Sequence, residues 1–178
     1  AWQILVDTAN VQPGQRVLVT AAAGGVGHLA VQVAKARGAV VLGTARAAKH
    51  DALRRFGVDQ PIDYTTADVA AEAGEVDVVV DLVGGSADLV PALRAGGLFV
   101  NVPSAAPADL AATVHARGAR YTGFLVEPDH EGLFALSQIA EDGELTVEVA
   151  DTFPLEQAAE AHARSETGRT TGKLVLTL

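Results

Sequence analysis

The stretch RVLVTAAAGGVG at Arg16–Gly27 runs from a strand pattern through a glycine turn into a helix. Val17, Leu18 and Val19 form a short aliphatic run of the kind found in strands covered on both faces. From Val26 onward, Val26, Leu29, Ala30, Val33 and Ala34 recur at helical spacing, so the turn opens a helix. Between them, Ala22-Ala23-Gly24-Gly25-Val26-Gly27 keeps the spacing of the dinucleotide fingerprint G-x-G-x-x-G, with alanine at its first glycine. The N–H groups left over at a helix start, together with the positive end of the helix dipole, make a site for a diphosphate. Gly24 lets the backbone approach the phosphates, and Gly27 lets the helix pack closely on the strand. The plainer alternative is a glycine-rich turn with no ligand; the order strand, turn, helix argues against it.

Outward from this motif the chain alternates buried strands with helices. Trp2, Leu5, Val6 and Ala9 are spaced as the stripe of an opening helix, and Gln12-Pro13-Gly14 turns into the first strand. The helix after the glycines closes at Arg37-Gly38, and Ala39–Gly43 is a second buried strand. Lys49–Phe56 reads as a helix closed by Gly57, and Pro61–Tyr64 as a short strand. Glu75–Val83 is a fourth strand ended by Gly84-Gly85. A helix at Ala87–Arg94 is closed by Gly96-Gly97, and Leu98–Val102 is a fifth strand. Arg120–Val126 is a sixth, after which Asp129 caps a helix that carries Leu133, Leu136 and Ala140 inward. Pro154 starts a helix with Leu155, Ala158 and Ala159, and Gly172 precedes the strand-like KLVLTL. This alternation predicts one α/β domain over residues 1–178: a doubly wound parallel sheet of Rossmann type in a three-layer αβα sandwich.

Composition narrows the function classes. The chain is 49% hydrophobic and 20% charged, which excludes disorder. With 22 acidic side chains against 13 Lys and Arg, the net charge of -9 argues against sequence-independent nucleic-acid binding. No apolar run reaches membrane-spanning length and no signal-peptide pattern opens the chain, so a soluble protein is expected. The absence of cysteine removes disulfides, thiolate nucleophiles and Cys-ligated zinc, and suits a reducing cytoplasm. There is no methionine and the first helix is already under way, so a part on the N-terminal side is expected to be missing.

His28, His50, His115, His130 and His162 show no metal-ligand spacing. His28 stands on the first turn after the glycines, either touching a phosphate or facing solvent or a neighbouring loop, whereas His162 is expected half-buried. Asp81 ends a buried strand at the expected crevice and serves either a ligand or a structural hydrogen bond. Ser86, Ser104 and Ser137 lack a nucleophile elbow, and the glycine turn lacks the GK[ST] ending of a P-loop.

In NAD-selective domains an acid some 20 residues past the glycines accepts hydrogen bonds from the adenosine ribose. Here the second strand ends Gly43-Thr44-Ala45-Arg46, with Lys49 just beyond and Tyr64 at the end of the next strand. An acid would repel a ribose phosphate, and Arg or Lys would pair with it, so the pattern favours NADP(H). The alternative leaves Arg46 and Lys49 as solvated charges at a helix start, an end that does not favour cations.

These segments together resemble the zinc-independent quinone-oxidoreductase (zeta-crystallin-like) branch of the medium-chain dehydrogenase/reductase superfamily. The resemblance is carried by AWQILVDTANVQPGQRVLVTAAAGGVGHLAVQVAKARGA at the start, FGVDQPIDY at Phe56–Tyr64 and DLVGG at Asp81–Gly85. LRAGGLFVNVPS at Leu93–Ser104 and ETGRTTGKLVL at Glu166–Leu176 extend it along nearly the whole chain.

The resemblance implies that Ala23, Gly24, Gly25 and Val26 hold the diphosphate, while Arg46, Lys49 and Tyr64 hold the 2′-phosphate. It further implies Thr44 and Ala45 beside the adenosine and Leu82 and Val83 near the other ribose. Pro103, Ser104, Phe124, Leu125 and Val126 would line the nicotinamide pocket. Relatives of this kind transfer hydride from NADPH to quinones, enones, enoyl thioesters or aldehydes without a metal. They carry an N-terminal GroES-like barrel that supplies much of the substrate pocket and the proton donor, and residues 173–178 would return to it. The resemblance also implies a homodimer paired through the edge at Arg120–Val126. Two other readings stay open: a non-catalytic NADP(H)-binding module, and the enoyl reductase domain of a multidomain synthase.

Overall fold

The computed structural model describes residues 1–103 and 106–178. Six strands form one parallel sheet in the order β3-β2-β1-β4-β5-β6: β1 (Arg16–Val19), β2 (Val40–Ala45), β3 (Gln60–Asp63), β4 (Val76–Asp81), β5 (Leu93–Asn101) and β6 (Arg120–Gly123). The connections are α1 (Gly27–Ala36), α2 (His50–Arg55), α3 (Val69–Ala73), a 3-10 turn at Ala87–Ala92, and α4 (Leu110–Ala116). Strand order reverses beside β1, which pairs β2 on one side and β4 on the other. That switch point opens a crevice at the C-terminal ends of the strands.

Successive strand residues point to opposite faces, yet both faces are buried. Val17, Val19, Val41, Val78, Val80 and Val100 pack with α1 residues Ala30, Val33 and Ala34 on one side. Leu18, Leu42, Ile62, Val79 and Phe99 pack with Leu110 and Val114 on the other. A sheet covered twice reads as unbroken aliphatic runs, as the expected three-layer sandwich requires.

Several expected elements are corrected. The helix expected at Ala87–Arg94 is a 3-10 turn ending at Ala92, with Pro91 inside it. Gly96-Gly97 does not close it but lies within β5, where the register jumps from Val76↔Leu93 to Val78↔Leu98 and bulges the strand. The sixth strand stops at Gly123, three residues short of Val126. The opening helix is a π-type turn over Gln3–Thr8 that buries Ile4 and Leu5.

Helix α5 (His130–Glu141) forms with the expected cap, Asp129 accepting from Gly132 N at 2.8 Å, but it is rotated. Gly132 is the buried position, close against Trp2, so Leu136 and Ile139 face the core while Leu133 and Ala140 are exposed. His162 is likewise exposed, because Ala161 is the buried residue of α6 (Ala158–Glu166). A strand not anticipated, β7 (Val149–Pro154), pairs in parallel with β8 (Lys173–Thr177), so the apolar C-terminal strand has a neighbour on one side.

This small sheet joins the large one through Gly172, whose φ is +79° and whose N–H donates to Ala23 O at 2.9 Å. A Cβ there would press into the Glu148 backbone, with its carbonyl carbon 2.9 Å away. Gly143 has a similar φ of +76° and open space around it. Gly143→Ala should therefore cost about 1 kcal/mol of left-handed strain, and Gly172→Ala about 2–4 kcal/mol. Thermal unfolding of the two variants checks this; equal losses would remove the steric contact from the account.

Candidate active site

The turn after β1 is built from backbone bonds that leave a ring of donors on its outer side. Ala21 takes a left-handed φ of 46°, and its carbonyl accepts from Gly24 N at 2.8 Å. Thr44 on β2 holds the other side, its hydroxyl accepting from Ala21 N at 3.2 Å and its carbonyl from Ala22 N at 3.1 Å. A Cβ at Gly27 would stand 2.7 Å from Ala22 Cα, so α1 begins directly against the turn. Among the described residues the N–H groups of Gly25, Val26 and Gly27 find no acceptor. Unused donors at a helix start form an anion site, and a Cβ at Gly24 would already crowd Ala21 O at 3.1 Å.

The alanine at the first glycine of the fingerprint has a physical explanation. Ala22 is fully buried, and the space for its methyl comes from Gly43 on β2. A Cβ at Gly43 would meet Ala22 Cβ at 2.9 Å and Val58 at 3.0 Å. The glycine has in effect moved from the turn to the neighbouring strand.

A cleft of about 970 Å³ opens beside the turn. Of the expected site residues it is lined by Ala23, Gly24, Thr44, Ala45, Arg46, Lys49, Tyr64 and Val83. Gly25 lines a smaller adjoining cleft of about 480 Å³, and Val26 is exposed at the helix start. Leu82 and Phe124 instead pack half-buried against the α1 side of the core. Pro103 accepts from Asn101 Nδ2 through its carbonyl, and Ser104 lies outside the described residues. Leu125 and Val126 are 83% and 71% exposed, because β6 ends before reaching them. The expected nicotinamide wall is thus not gathered into the cleft.

The cleft wall beyond β2 is cationic. Arg46 Nε donates to Tyr64 Oη at 3.2 Å, a bond that raises its pKa. Lys49 Nζ donates to Thr170 O at 2.9 Å. Burial, and then the charge of Arg46, lower the pKa of Lys49. Arg169 lines the same cleft, and among the described residues none of the three cations makes a salt bridge. Arg169 lies in the ETGRTTGKLVL segment, more than a hundred residues from the glycine turn, and nothing local to that segment marks it as reaching this cleft.

Lys173 was missed for the same reason. Its Cδ and Nζ lie 3.3 and 3.4 Å from where a Cβ of Gly25 would stand, so an ammonium overhangs the glycine turn.

Asp81 takes the structural role. Fully buried, it accepts from Thr20 Oγ1 (3.1 Å), Val83 N (3.1 Å), Gly84 N (3.0 Å) and Ser86 N (3.2 Å), fixing the loop that brings Val83 to the cleft. His28 is fully buried against Phe56 and meets the neighbouring loop at Glu148 N, as one of the expected alternatives has it, so neither solvent nor a phosphate is its partner. Among the described residues no group of three His, Cys, Asp or Glu side chains is placed to hold a metal, and no helix is long and apolar enough to cross a membrane.

The family described as zinc-binding dehydrogenase matches residues 56–176. A medium chain reductase, pydE of Acremonium sp, is 32% identical over 99% of this chain and 55% of its own length. The polyketide synthase GfsB of Streptomyces halstedii is 37% identical over 100% of this chain, which corresponds to 3% of that protein. Among solved structures, the quinone oxidoreductase of Coxiella burnetii superposes with a TM-score of 0.90 at 35% identity, covering 97% of this chain and 56% of that one. The chain therefore spans about half the length of the medium chain reductase and of the quinone oxidoreductase.

Two outcomes follow from the site's packing and titration. Gly43→Ala should cost about 1–3 kcal/mol, and less in the Ala22→Gly background, by at least about 0.5 kcal/mol in a double-mutant cycle. Strict additivity would disprove the exchange of glycine between turn and strand. Burial, together with the charge of Lys173, lowers the pKa of His28 against the bond to Gly24 and the charge of Glu148, which raise it. The unfolded chain therefore takes up that proton first, and the stability present above about pH 6.5 declines as pH falls below it. Denaturant unfolding across that range should show this slope in the wild type and not in His28→Phe.

Proposed function

The chain belongs to the zinc-binding dehydrogenase family, within the medium-chain dehydrogenase/reductase superfamily, and on that footing we propose that it is the cofactor-binding part of an NADPH-dependent, metal-independent oxidoreductase acting on a quinone, enone or related carbonyl compound. The observation that carries this reading is a pair of adjoining clefts, one lined by Gly24 and three cations and the other by Gly25; among the described residues the N–H groups of residues 25–27 have no acceptor and the cations no salt bridge. The turn fits a diphosphate: its donors face outward, Gly27 leaves no room for a side chain and Gly24 little, and Lys173 supplies a positive charge.

Arg46, Lys49 and Arg169 fit a 2′-phosphate, with the Tyr64 hydroxyl orienting Arg46. No acid stands at the tip of β2, where a ribose 2′-hydroxyl would need one. When bound, NADPH supplies the hydride; this chain's residues bind it, orient it and keep water from one of its sides. Asp81 contributes by locking the loop that carries Val83.

The parent protein would add a GroES-like domain that completes the substrate pocket, and the outer edge of β6 would pair across a homodimer. A chain without cysteine suits the cytoplasm. The full-length match to part of a polyketide synthase favours one second reading, an enoyl reductase domain of a multidomain synthase.

Fluorescence titration with NADPH and NADH tests the assignment. Charge-assisted hydrogen bonds contribute about 1.5–3 kcal/mol each, so NADPH should bind at least about tenfold more tightly. Arg46→Ala with Lys49→Ala should remove most of that preference while leaving NADH affinity nearly unchanged. Equal binding of the two cofactors, unaltered by the substitutions, would defeat it. Turnover of quinones against enoyl thioesters by the parent protein separates the two enzyme readings.

A further inference from the structure

We propose that His28 is a positioning residue for the cofactor turn: its imidazole, as the Nδ1–H tautomer, orients the Gly24–Gly25 peptide so that Gly25 N–H faces the bound diphosphate. The inference rests on the dinucleotide reading above. His28 lies at a helix position facing the interior, where an aliphatic residue would pack without needing partners, and it is fully buried. Both ring nitrogens are occupied. Nδ1 is 2.8 Å from Gly24 O, and Glu148 N stands 3.3 Å from Nε2.

Gly24 O can only accept and Glu148 N–H can only donate. The two partners therefore dictate a proton on Nδ1 and a lone pair on Nε2. Burial, the first cause of the lowered pKa, keeps the ring neutral in that form. The charged groups facing it are Lys173, which acts in the same direction, and Glu148, which opposes it.

The consequence for the turn follows from the planarity of the peptide. In a trans peptide the C=O of one residue and the N–H of the next point in opposite directions, and among the described residues there is no cis bond. Gly24 C=O receives both the backbone N–H of His28, at 3.1 Å, and its Nδ1–H. Held inward by these two donors, that peptide turns Gly25 N–H outward, where it has no acceptor among the described residues.

The histidine also closes a ring of hydrogen bonds. Glu148 O accepts from Lys173 N at 2.8 Å, and Gly172 N donates to Ala23 O at 2.9 Å. The route from Gly24 through His28, Glu148, Lys173 and Gly172 thus returns to Ala23, and it seats the Lys173 side chain over Gly25. One helical turn further on, Gln32 holds the same segment independently. Its amide donates to Thr146 O at 2.9 Å and accepts from Thr146 N at 2.7 Å. Loss of the imidazole should therefore leave the segment docked.

The test uses His28→Phe and His28→Asn in the whole chain, with NADPH and NADH as probes at temperatures well below unfolding. Phenylalanine keeps the packing on Phe56 and removes both polar contacts. Asparagine places an amide donor where Nδ1 stands and cannot reach Glu148. NADPH should bind about five- to tenfold more weakly to His28→Phe and within about twofold of wild type to His28→Asn, the worth of one hydrogen bond. Both variants should lose thermal stability alike, since both leave Glu148 N–H without an acceptor.

If both melt earlier and bind NADPH as the wild type does, the role is structural and the inference is overturned. A wild type that binds neither NADPH nor NADH overturns the cofactor reading, and the inference with it. A wild type that binds normally beside an unimpaired His28→Phe overturns the inference alone. Nitrogen NMR of the wild-type imidazole decides the matter should a variant fail to fold: an Nδ1–H tautomer supports the assignment, and an Nε2–H tautomer overturns it.

Discussion

The seating of α1 on the turn before it governs the rest of the site. With Ala22 Cα 2.7 Å from where a Gly27 Cβ would stand, the helix starts against the backbone of the turn it follows. This contact points the positive end of the helix at the C-terminal edge of the sheet, where β1 and β4 face the crevice. It also forces the turn to be tight. Ala21 accepts a left-handed conformation that costs an L residue about 1–2 kcal/mol. The surrounding bonds over-determine it: Gly24 N–H on its carbonyl and the Thr44 hydroxyl on its N–H. The methyl of Ala22 is admitted because β2 supplies a glycine opposite.

Electrostatics at the far wall works against the overall charge of the chain. A net charge of -9 repels an anionic ligand at a distance, but that repulsion is screened within about 8 Å at physiological ionic strength. Local charge then decides. Lys49 is pressed toward its neutral form by burial and by Arg46 beside it, so the two cations are held together against their own repulsion. The fold maintains this arrangement with neutral partners, the Tyr64 hydroxyl for Arg46 and the Thr170 carbonyl for Lys49. Neutral direct partners leave most of the positive charge available, with Asp63 near Arg46 offsetting part of it.

The sheet and the glycine turn were legible because each carries a local pattern. Val17–Val19 and Val78–Val80 are buried on both faces and read as unbroken aliphatic runs, and the fingerprint spacing survives the alanine. Short elements carried no such pattern. Helix α3 has five residues and α4 has seven, too few for helical periodicity to stand out. Strand β7 buries only Phe153, so it shows no apolar run or alternation. The phase of α5 was misread because its innermost residue is Gly132, chosen for fit against Trp2 and invisible to a count of hydrophobic side chains. Within the site, Arg46, Lys49 and Tyr64 follow neighbouring strands and could be placed, while Arg169 and Lys173 reach the cleft through β8 and its approach.

That division between local and distant contributions has a physical consequence for the turn. The bonds from Gly24 N to Ala21 O and from His28 N to Gly24 O lie within eight residues and need only the turn and the first turn of α1. The bonds from Gly172 N to Ala23 O and from Glu148 N to His28 Nε2 span well over a hundred residues. Only the second set supplies the carbonyl of Ala23 with its donor and the imidazole with its donor partner. A sequence motif can thus specify where the turn lies and which way the helix points. The direction of its peptides, and the ammonium above them, depend on β7 and β8 closing over the same corner.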